Sequence, residues 1–278
     1  AQRTTYDEGE RCVIEARAPL RDIKPVFHED IDQWMRILCW NDPYYYENLK
    51  TWLAVVTRLD FICSALFLTG RNSVGKSMLA QGVARCWTTR GPTSLEVALG
   101  SFNDQLASCP FTFADERLPK DFRGYTKFEE LRAHIQEVER AYTRKYLPNS
   151  KLLGATRTMI AAHTKTILKT PQTLSDDEIH AIIERFFHIP TNPEAAAYLA
   201  NLRPTTFERG WVSEDKIAQH IMWLRENHKH ESQGRFYVHC PDENLFRVLS
   251  TQSGVKGAVC QWLVSYLLNP NEFHKSEY

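Results

Sequence analysis

In the segment ALFLTGRNSVGKSMLAQGVA, residues 65–84, a short apolar run leads into a glycine-bounded loop and then into a helix-like pattern. Ala65 to Thr69 predict a buried strand, and Lys76 to Trp87 are apolar at helical spacing. The loop between them, Gly70 to Ser77, fits G-x-x-x-x-G-K-[ST]. Glycines let backbone N–H groups turn inward around an anion, and the dipole of the following helix favours negative charge. The segment therefore predicts a phosphate-binding loop.

The loop predicts contacts with ATP and Mg²⁺. We expect the Lys76 ammonium to reach the β- and γ-phosphate oxygens and the Ser77 hydroxyl to be a ligand of Mg²⁺. The predicted nucleotide-contacting residues are Gly70, Asn72, Ser73, Val74, Gly75, Lys76, Ser77 and Met78.

A second apolar run, Phe111 to Ala114, ends in two carboxylates, Asp115 and Glu116. In an open α/β sheet, the ligand-binding crevice lies at the carboxyl ends of the strands. Asp115 is therefore predicted to complete the Mg²⁺ shell, and Glu116 to polarise the attacking water, which favours hydrolysis over transfer to a small molecule. We expect the loop and the carboxylates to lie side by side at one edge of a common sheet.

Two more residues are candidates for catalytic roles, and each has a structural alternative. His163 ends a third apolar run, Thr158 to Ala162, where a polar side chain would sense the γ-phosphate; alternatively, it is an ordinary strand-end histidine. Arg185 ends a helix that opens with a capping box at Ser175 to Glu178, and from there an arginine can reach a neighbouring subunit's nucleotide. The alternative is a surface arginine attracted by a helix C-terminus.

The rest of the chain alternates strands with helices, which predicts an α/β fold with a mainly parallel sheet. Residues 1–30 are typical of an arm or linker. The other predicted elements are helices at 30–38, 45–59 and 128–142, and a hairpin at 146–153 with a turn at Pro148-Asn149-Ser150.

After Pro204 the pattern changes, which indicates a second folding unit. Its predicted elements are a helix at 213–226, a strand at 235–239 and helices at 244–251 and 255–268, an order that suits a winged-helix-like domain. We therefore predict an N-terminal arm and helical lead-in (1–50), an ATPase domain (51–203) and a C-terminal winged-helix-like domain (204–278).

Composition excludes several classes of protein. The longest apolar run is interrupted by Arg58 and Asp60, so no transmembrane segment is expected, and there is no pattern of a signal peptide. Seven cysteines without a C-x-x-C pair predict reduced thiols in a cytoplasmic protein, with no disulfide and no zinc site.

The formal net charge is zero, so a nucleic-acid partner would need a local basic patch. The stretch from Arg140 to Ser175 contains no acidic residue and offers such a patch, although a charge run is often just a solvated face. Its cations are Arg140, Arg144, Lys145, Lys151, Arg157, Lys165 and Lys169.

On these residues the chain resembles the helicase part of the primase-helicase proteins of phages, plasmids and integrated elements, related to superfamily 3 helicases within the AAA+ ATPases. The segments that carry the resemblance are LFLTGRNSVGKSMLA, SFNDQLASCPFTFADE, RKYLPNSKLLGATRTMIAAH, LSDDEIHAIIERFFHI and GWVSEDKIAQHIMWL, which cover most of the chain from about residue 50 onward.

The resemblance implies an AAA+-like P-loop fold and a hexameric ring with ATP at the subunit interfaces. It also implies that Arg185 acts in trans and that a hairpin, Arg144 to Gly154, projects toward a central channel. Lys151, near the expected hairpin tip, and its neighbours Arg144 and Lys145 are then the expected contacts with the DNA backbone. One residue departs from the family pattern, because His163 stands where asparagine is typical.

The sequence therefore predicts an ATP-dependent DNA helicase or translocase that moves on single-stranded DNA. The expected partners are single-stranded DNA, further copies of the chain, and a fused or separate primase or polymerase. Two alternatives remain open: an AAA+ ATPase for protein loading, remodelling or phage defence without unwinding, and a nucleotide-gated DNA-binding assembly module. A small-molecule kinase is disfavoured because no acceptor-binding lid is evident.

Overall fold

The computed structural model describes residues 5–9, 12–15, 18–121, 123–143, 150–169, 175–202 and 214–243, together with isolated positions from 245 to 267. Its strands are β1 (Thr5–Asp7), β2 (Cys12–Glu15), β3 (Ala65–Thr69), β4 (Thr93–Ser94), β5 (Phe111–Asp115), β6 (Glu139–Tyr142), β7 (Ser150–Leu153), β8 (Arg157–Ala162) and β9 (Phe186–Pro190). Its α-helices are α1 (Glu29–Leu38), α2 (Pro43–Val55), α3 (Lys76–Ala84), α4 (Leu95–Ala98), α5 (Phe128–Gln136), α6 (Asp176–Ile183), α7 (Glu194–Leu202) and α8 (Glu214–Asn227).

The main sheet is parallel and has the strand order β4-β5-β8-β3-β9. β3 and β8 are buried at every residue, as expected of central strands covered on both faces. Because the strands are parallel, their carboxyl ends meet at one edge, which carries the Gly70–Ser77 loop, Asp115 and His163. The predicted α/β fold with a mainly parallel sheet is confirmed.

Helices cover both faces of the main sheet. Successive strand residues point to opposite faces, so Leu66 and Leu68 join one hydrophobic cluster while Ala65 and Phe67 join the other. The first cluster includes residues of α1, α2, α3 and α8, and the second includes residues of α5 and α6. None of the helices in the described part of the chain has the length and apolar character needed to cross a bilayer.

A second sheet, with the order β1-β2-β7-β6, includes two short strands from the stretch 1–30 that was predicted to be an arm or linker. β6 and β7 form an antiparallel hairpin, and β2 pairs with β7 in parallel, with Ile14 opposite Lys151. β1 and β2 have three and four residues, too few for a clear period in the sequence. A hairpin was predicted at 146–153 with its turn at Pro148-Asn149-Ser150, but its first strand is β6, which ends at Tyr142, and Ser150 already belongs to β7. Residues 144–149 lie outside the described residues.

α5 ends at Gln136, so the predicted helix at 128–142 is wrong beyond that residue. Val138, which fits the helical stripe, is 50% exposed. The guanidinium of Arg140 donates to the carbonyl oxygens of His134 and Glu137, at 2.7 and 3.5 Å. These bonds satisfy the helix C-terminus and allow the chain to continue as β6.

The predicted helix at 213–226 is present as α8. The strand predicted at 235–239 is not formed. Residues 234–238 are bends, and Phe236 and Val238 are buried. The Tyr237 amide donates to the Ile62 carbonyl (3.1 Å). Within the described residues this contact is not part of a strand pairing. The predicted helices at 244–251 and 255–268 lie largely outside the described residues, so the winged-helix-like arrangement stays a prediction.

Candidate nucleotide-binding site

The loop from Gly70 to Ser77 joins β3 to α3 and requires both of its glycines. Gly75, the N-cap of α3, has φ +97°, and a Cβ atom there would lie 2.4 Å from the Trp34 ring. A Cβ atom on Gly70, which has φ +142°, would lie 2.2 Å from Thr191 Oγ1. The left-handed backbone and the close packing therefore both exclude a side chain at these positions.

Trp34 of α1 holds the loop in place. Its ring is 1% exposed, and its indole Nε1–H donates to the Val74 carbonyl at 2.9 Å. Leu199 of α7 packs at the same point, since a Cβ atom on Gly75 would lie 3.1 Å from its Cδ1 atom. Neither Trp34 nor Leu199 was predicted as a site residue; the one signal in the sequence was the position of Trp34 on the apolar stripe of α1.

Lys76 is almost fully buried, at 6% exposure, and its ammonium points into the loop. Nζ donates to the carbonyl oxygens of Gly70, Arg71 (3.1 Å) and Ala162 (3.2 Å). Burial lowers the pKa of Lys76, and the nearby carboxylates of Glu116 and Asp115 oppose that shift. A positive charge thus lies between the loop and the end of β8.

The two carboxylates lie beside the loop, as predicted. The Ser77 hydroxyl donates to Asp115 Oδ2 at 3.0 Å, so the start of α3 and the end of β5 are in direct contact. Glu116 has φ +56°, an uncommon conformation for this residue type, and its amide donates to the Ala161 carbonyl at 2.8 Å. The predicted adjacency of the loop and the carboxylates is confirmed, whereas their catalytic roles remain proposals.

His163 follows β8 and binds Glu116 through its backbone. Its amide N–H donates to Glu116 Oε2 at 3.0 Å, and its side chain is exposed. Because β8 lies between β3 and β5, His163 is placed between the loop and the carboxylates. The location is that expected of a residue near the γ-phosphate, and the role of the imidazole stays a prediction.

A crevice of about 510 Å³ opens between these elements. A larger cavity of about 870 Å³ adjoins it across Asp115 and Glu116 but contains no residue of the loop, so the smaller crevice is the candidate nucleotide site. Apart from Gly70, the crevice contains every predicted nucleotide-contacting residue. Its lining is Asn72, Ser73, Val74, Gly75, Lys76, Ser77, Met78, Asp115, Glu116 and Leu199.

A chain of polar contacts lies behind the loop and was not predicted. The Thr69 hydroxyl is 2.8 Å from His188 Nε2, and His188 Nδ1 contacts the Asp242 carboxylate. Asp242 also lies 3.4 Å from Lys165 Nζ. Burial lowers the pKa of His188, and the hydrogen bond with Asp242 opposes the shift. The segment after α8 therefore reaches the strand that ends in the loop.

The oxygens at the crevice fit a hard divalent cation. Mg²⁺ prefers oxygen ligands and is usually bound through one or two carboxylates together with substrate phosphates. Ser77 Oγ and Asp115 Oδ2, which were predicted as metal ligands, are 3.0 Å apart. One hydroxyl and one carboxylate oxygen within reach of the same ion match that donor preference.

Arg185 lies far from the loop of its own chain. Its carbonyl accepts from the amide of Ala65, the first residue of β3, whereas the loop follows the last residue of β3. The side chain is 4% exposed, and Nε and Nη1 have no hydrogen-bond partner within the described residues. Burial lowers the pKa of Arg185, and the positive charges of Arg132 and Arg235 add to the shift.

The basic stretch from Arg140 to Ser175 is not one continuous track. Arg140 and Arg157 are 8% and 1% exposed and donate to backbone carbonyls inside the protein, so the reading of both as part of a surface patch is wrong. Lys151, predicted to lie near the hairpin tip, is in β7, one register pair from the end of the described ladder, and its Nζ is 3.1 Å from Glu139 Oε1. Arg144 and Lys145 lie outside the described residues.

Two solved structures of the C-terminal region of NrS-1 resemble this chain, with TM-scores of 0.62 and 0.60. Both alignments cover 86% of this chain at 15% sequence identity. The shared property is the fold. This chain spans about half of the NrS-1 region, 55% and 54% of the two structures. No protein-family model and no curated protein matches the sequence.

The similarity to NrS-1 says nothing about individual residues at this identity. The candidate site therefore depends on the contacts within this chain. Those contacts join three separate strand ends, β3, β5 and β8, around one crevice.

Proposed function

We propose that the chain hydrolyses ATP and couples hydrolysis to movement on single-stranded DNA, as the helicase or translocase module of a phage- or plasmid-type replication protein. One observation carries the proposal. A glycine loop with a buried lysine and two adjacent carboxylates converge at one sheet edge, with Ser77 Oγ 3.0 Å from Asp115 Oδ2. This set of groups suits phosphate binding and water activation.

The role of each residue follows from its chemistry. The loop amides and the N-terminus of α3 would bind the phosphates, and Lys76 would exchange its present carbonyl partners for phosphate oxygens. Ser77 and Asp115 would hold Mg²⁺, which neutralises charge on the phosphates when bound. Glu116 would orient the attacking water and accept its proton, with its carboxylate fixed by the His163 amide.

Arg185 would act in the site of a neighbouring subunit in a hexameric ring. It lies near the start of β3, about 16 Å along the strand from the loop, so it cannot serve its own site. Buried donors without acceptors are costly, and a phosphate from a neighbour would supply acceptors for Nε and Nη1 of Arg185, which have none within the described residues. The proposal requires the side chain to become accessible when subunits pack.

The β6–β7 hairpin would contact the DNA backbone through Arg144, Lys145 and Lys151, with affinity that falls as salt rises. Lys151 would have to leave or share its ion pair with Glu139 to contact a phosphate. A primase or polymerase, fused or separate, is the proposed functional partner, and the cytoplasm the proposed location. The division into 1–50, 51–203 and 204–278 is part of the same proposal.

Glu116→Gln tests the catalytic part. The variant keeps the side-chain size and an acceptor for the His163 amide, so we expect ATP binding to persist and turnover to fall by roughly 10²–10⁴-fold. Glu130→Gln, on the surface of α5, is the matched control and should hydrolyse ATP normally. Turnover of Glu116→Gln at the wild-type rate would remove Glu116 from its role.

Strand displacement separates the proposed motor from its alternatives. A loading, remodelling or defence ATPase would hydrolyse ATP without separating strands, and a nucleotide-gated assembly module would bind nucleotide with turnover near zero even with DNA. Mass measurement with and without single-stranded DNA and a non-hydrolysable ATP analogue would report the size of the assembly.

A further inference from the structure

A buried polar cluster joins the base of the β6–β7 hairpin to β5, the strand that ends in the two carboxylates. Arg140 of β6 is 8% exposed and His134 of α5 is 2% exposed. Arg140 Nη1 contacts His134 Nδ1, and Nη2 donates to the His134 carbonyl at 2.7 Å. On the other side of the ring, His134 Nε2 is 3.2 Å from the Thr112 hydroxyl.

The direction of these hydrogen bonds is fixed by their chemistry. A guanidinium can only donate, so Nδ1 of His134 must be the acceptor and Nε2 must carry the hydrogen. The Nε2–H group then has two acceptors, Thr112 Oγ1 at 3.2 Å and Thr156 Oγ1 at 3.3 Å. Thr112 Oγ1 also lies 3.2 Å from the Arg157 carbonyl, which can only accept, and 3.0 Å from the Thr158 hydroxyl, with which either oxygen can be the donor. Arg140, His134 and Thr112 thus form a hydrogen-bonded relay in which the tautomer of His134 is fixed.

The relay ends close to the candidate active site. Thr112 precedes Asp115 and Glu116 by three and four residues in β5, about 10 Å along a strand. Its partner Thr158 lies opposite it in β8, the strand that leads to His163. A displacement of the relay side chains would therefore displace β5 and β8, the strands that lead to the carboxylates and to His163.

We infer that the Arg140–His134–Thr112 relay couples the hairpin to the nucleotide site, with Arg140 and His134 as positioning residues. The inference rests on the proposed function, because it presumes that the chain binds both nucleotide and DNA. Buried hydrogen bonds are costly to leave unmade, so the relay has few alternative arrangements and moves as a unit. Contiguous networks of this kind carry coupling between distant sites.

The test measures coupling directly. The dissociation constant for labelled single-stranded DNA is determined with and without a non-hydrolysable ATP analogue, for the wild type and for Arg140→Met. We expect the analogue to change DNA affinity of the wild type by about 5- to 150-fold, the usual range for allosteric coupling. In Arg140→Met the two dissociation constants should become equal while the analogue still binds.

Three further variants separate coupling from general damage. Arg132→Met replaces an arginine of α5, the helix of His134, that pairs with Glu129 at the surface, and it should keep the wild-type ratio. Arg140→Lys retains the charge but cannot contact the imidazole and the carbonyl together, so its ratio should be intermediate. His134→Gln breaks the relay at its middle and should match Arg140→Met; it replaces Arg140→Met if that variant does not fold.

Each result decides between clear alternatives. If the wild-type protein binds no nucleotide analogue, the proposed function itself is wrong. A wild type that binds both ligands without mutual influence would overturn the inference alone. An unchanged ratio in folded Arg140→Met, or in folded His134→Gln, would also overturn it and leave the hydrolysis proposal intact.

Discussion

Replacing Trp34 by phenylalanine should weaken nucleotide binding by removing one hydrogen bond beneath the loop. Trp34 Nε1–H donates to the Val74 carbonyl at 2.9 Å, and both the ring and Val74 are buried. Phenylalanine fills most of the ring volume but cannot donate. The Val74 carbonyl then loses its partner next to Gly75, whose left-handed conformation sets the start of α3.

The expected magnitude follows from the cost of an unsatisfied buried carbonyl. Leaving such a group without its partner costs about 1–3 kcal/mol. In the variant, the loop can adopt other conformations in which the Val74 carbonyl finds a partner. Nucleotide binding must then restore the original loop conformation, at a cost in free energy. An ordering cost of about 1–2 kcal/mol corresponds to a loss of roughly 5- to 30-fold in affinity for ATP.

Trp52 offers a matched control for this prediction. It is also fully buried, but its Nε1–H donates to the Ser64 carbonyl at 2.8 Å, before the start of β3, and it is not part of the crevice lining. Urea unfolding should show similar losses of stability for Trp34→Phe and Trp52→Phe, whereas titration with a fluorescent ATP analogue should show weaker binding only for Trp34→Phe. Equal nucleotide affinities in the two variants would refute the reasoning.

Three other predictions concern strain, protonation and the polar chain behind the loop. Gly75→Ala places a Cβ atom 2.4 Å from Trp34 at φ +97°, so analogue binding should be lost; affinity within twofold of the wild type would contradict this. Burial lowers the pKa of His220 to about 4, so the unfolded state binds more protons below about pH 6.5 and stability should fall by about 3 kcal/mol from there to pH 4. Urea unfolding of His220→Gln should show a flatter pH dependence than the wild type, and an identical profile would refute the assignment. Asp242→Ala leaves His188 Nδ1 without its carboxylate and should cost about 1–3 kcal/mol in urea unfolding; an unchanged midpoint would show that the contact contributes nothing.

The sequence was sufficient for those parts of the site that depend on local motifs. The Gly70–Ser77 loop and the Asp115–Glu116 pair each lie within one short segment, and parallel strands bring their ends together by topology alone. The capping box of α6 is also local: the Ser175 hydroxyl accepts from the Glu178 amide, and Glu178 returns the bond to the Ser175 amide. For these features the neighbours along the chain are the interaction partners.

The parts that the sequence did not reveal depend on partners distant in the chain. Trp34 meets Val74 through the packing of α1, and His188 meets Asp242 through a segment that was predicted to be separate. The basic stretch was misleading for a related reason. Charge is visible in a sequence, but the backbone carbonyls that hold Arg157 inside the protein are not.

The pairing of β2 with β7 has a mechanical consequence. A hairpin held only at its base could swing like a lever, but this one shares a backbone ladder with β2, and β2 with β1. Any movement of the hairpin must therefore move β1 and β2 with it or break the hydrogen bonds that join these strands. A fluorophore attached at Glu8, in the exposed turn between β1 and β2, would follow that movement from the opposite margin of the sheet.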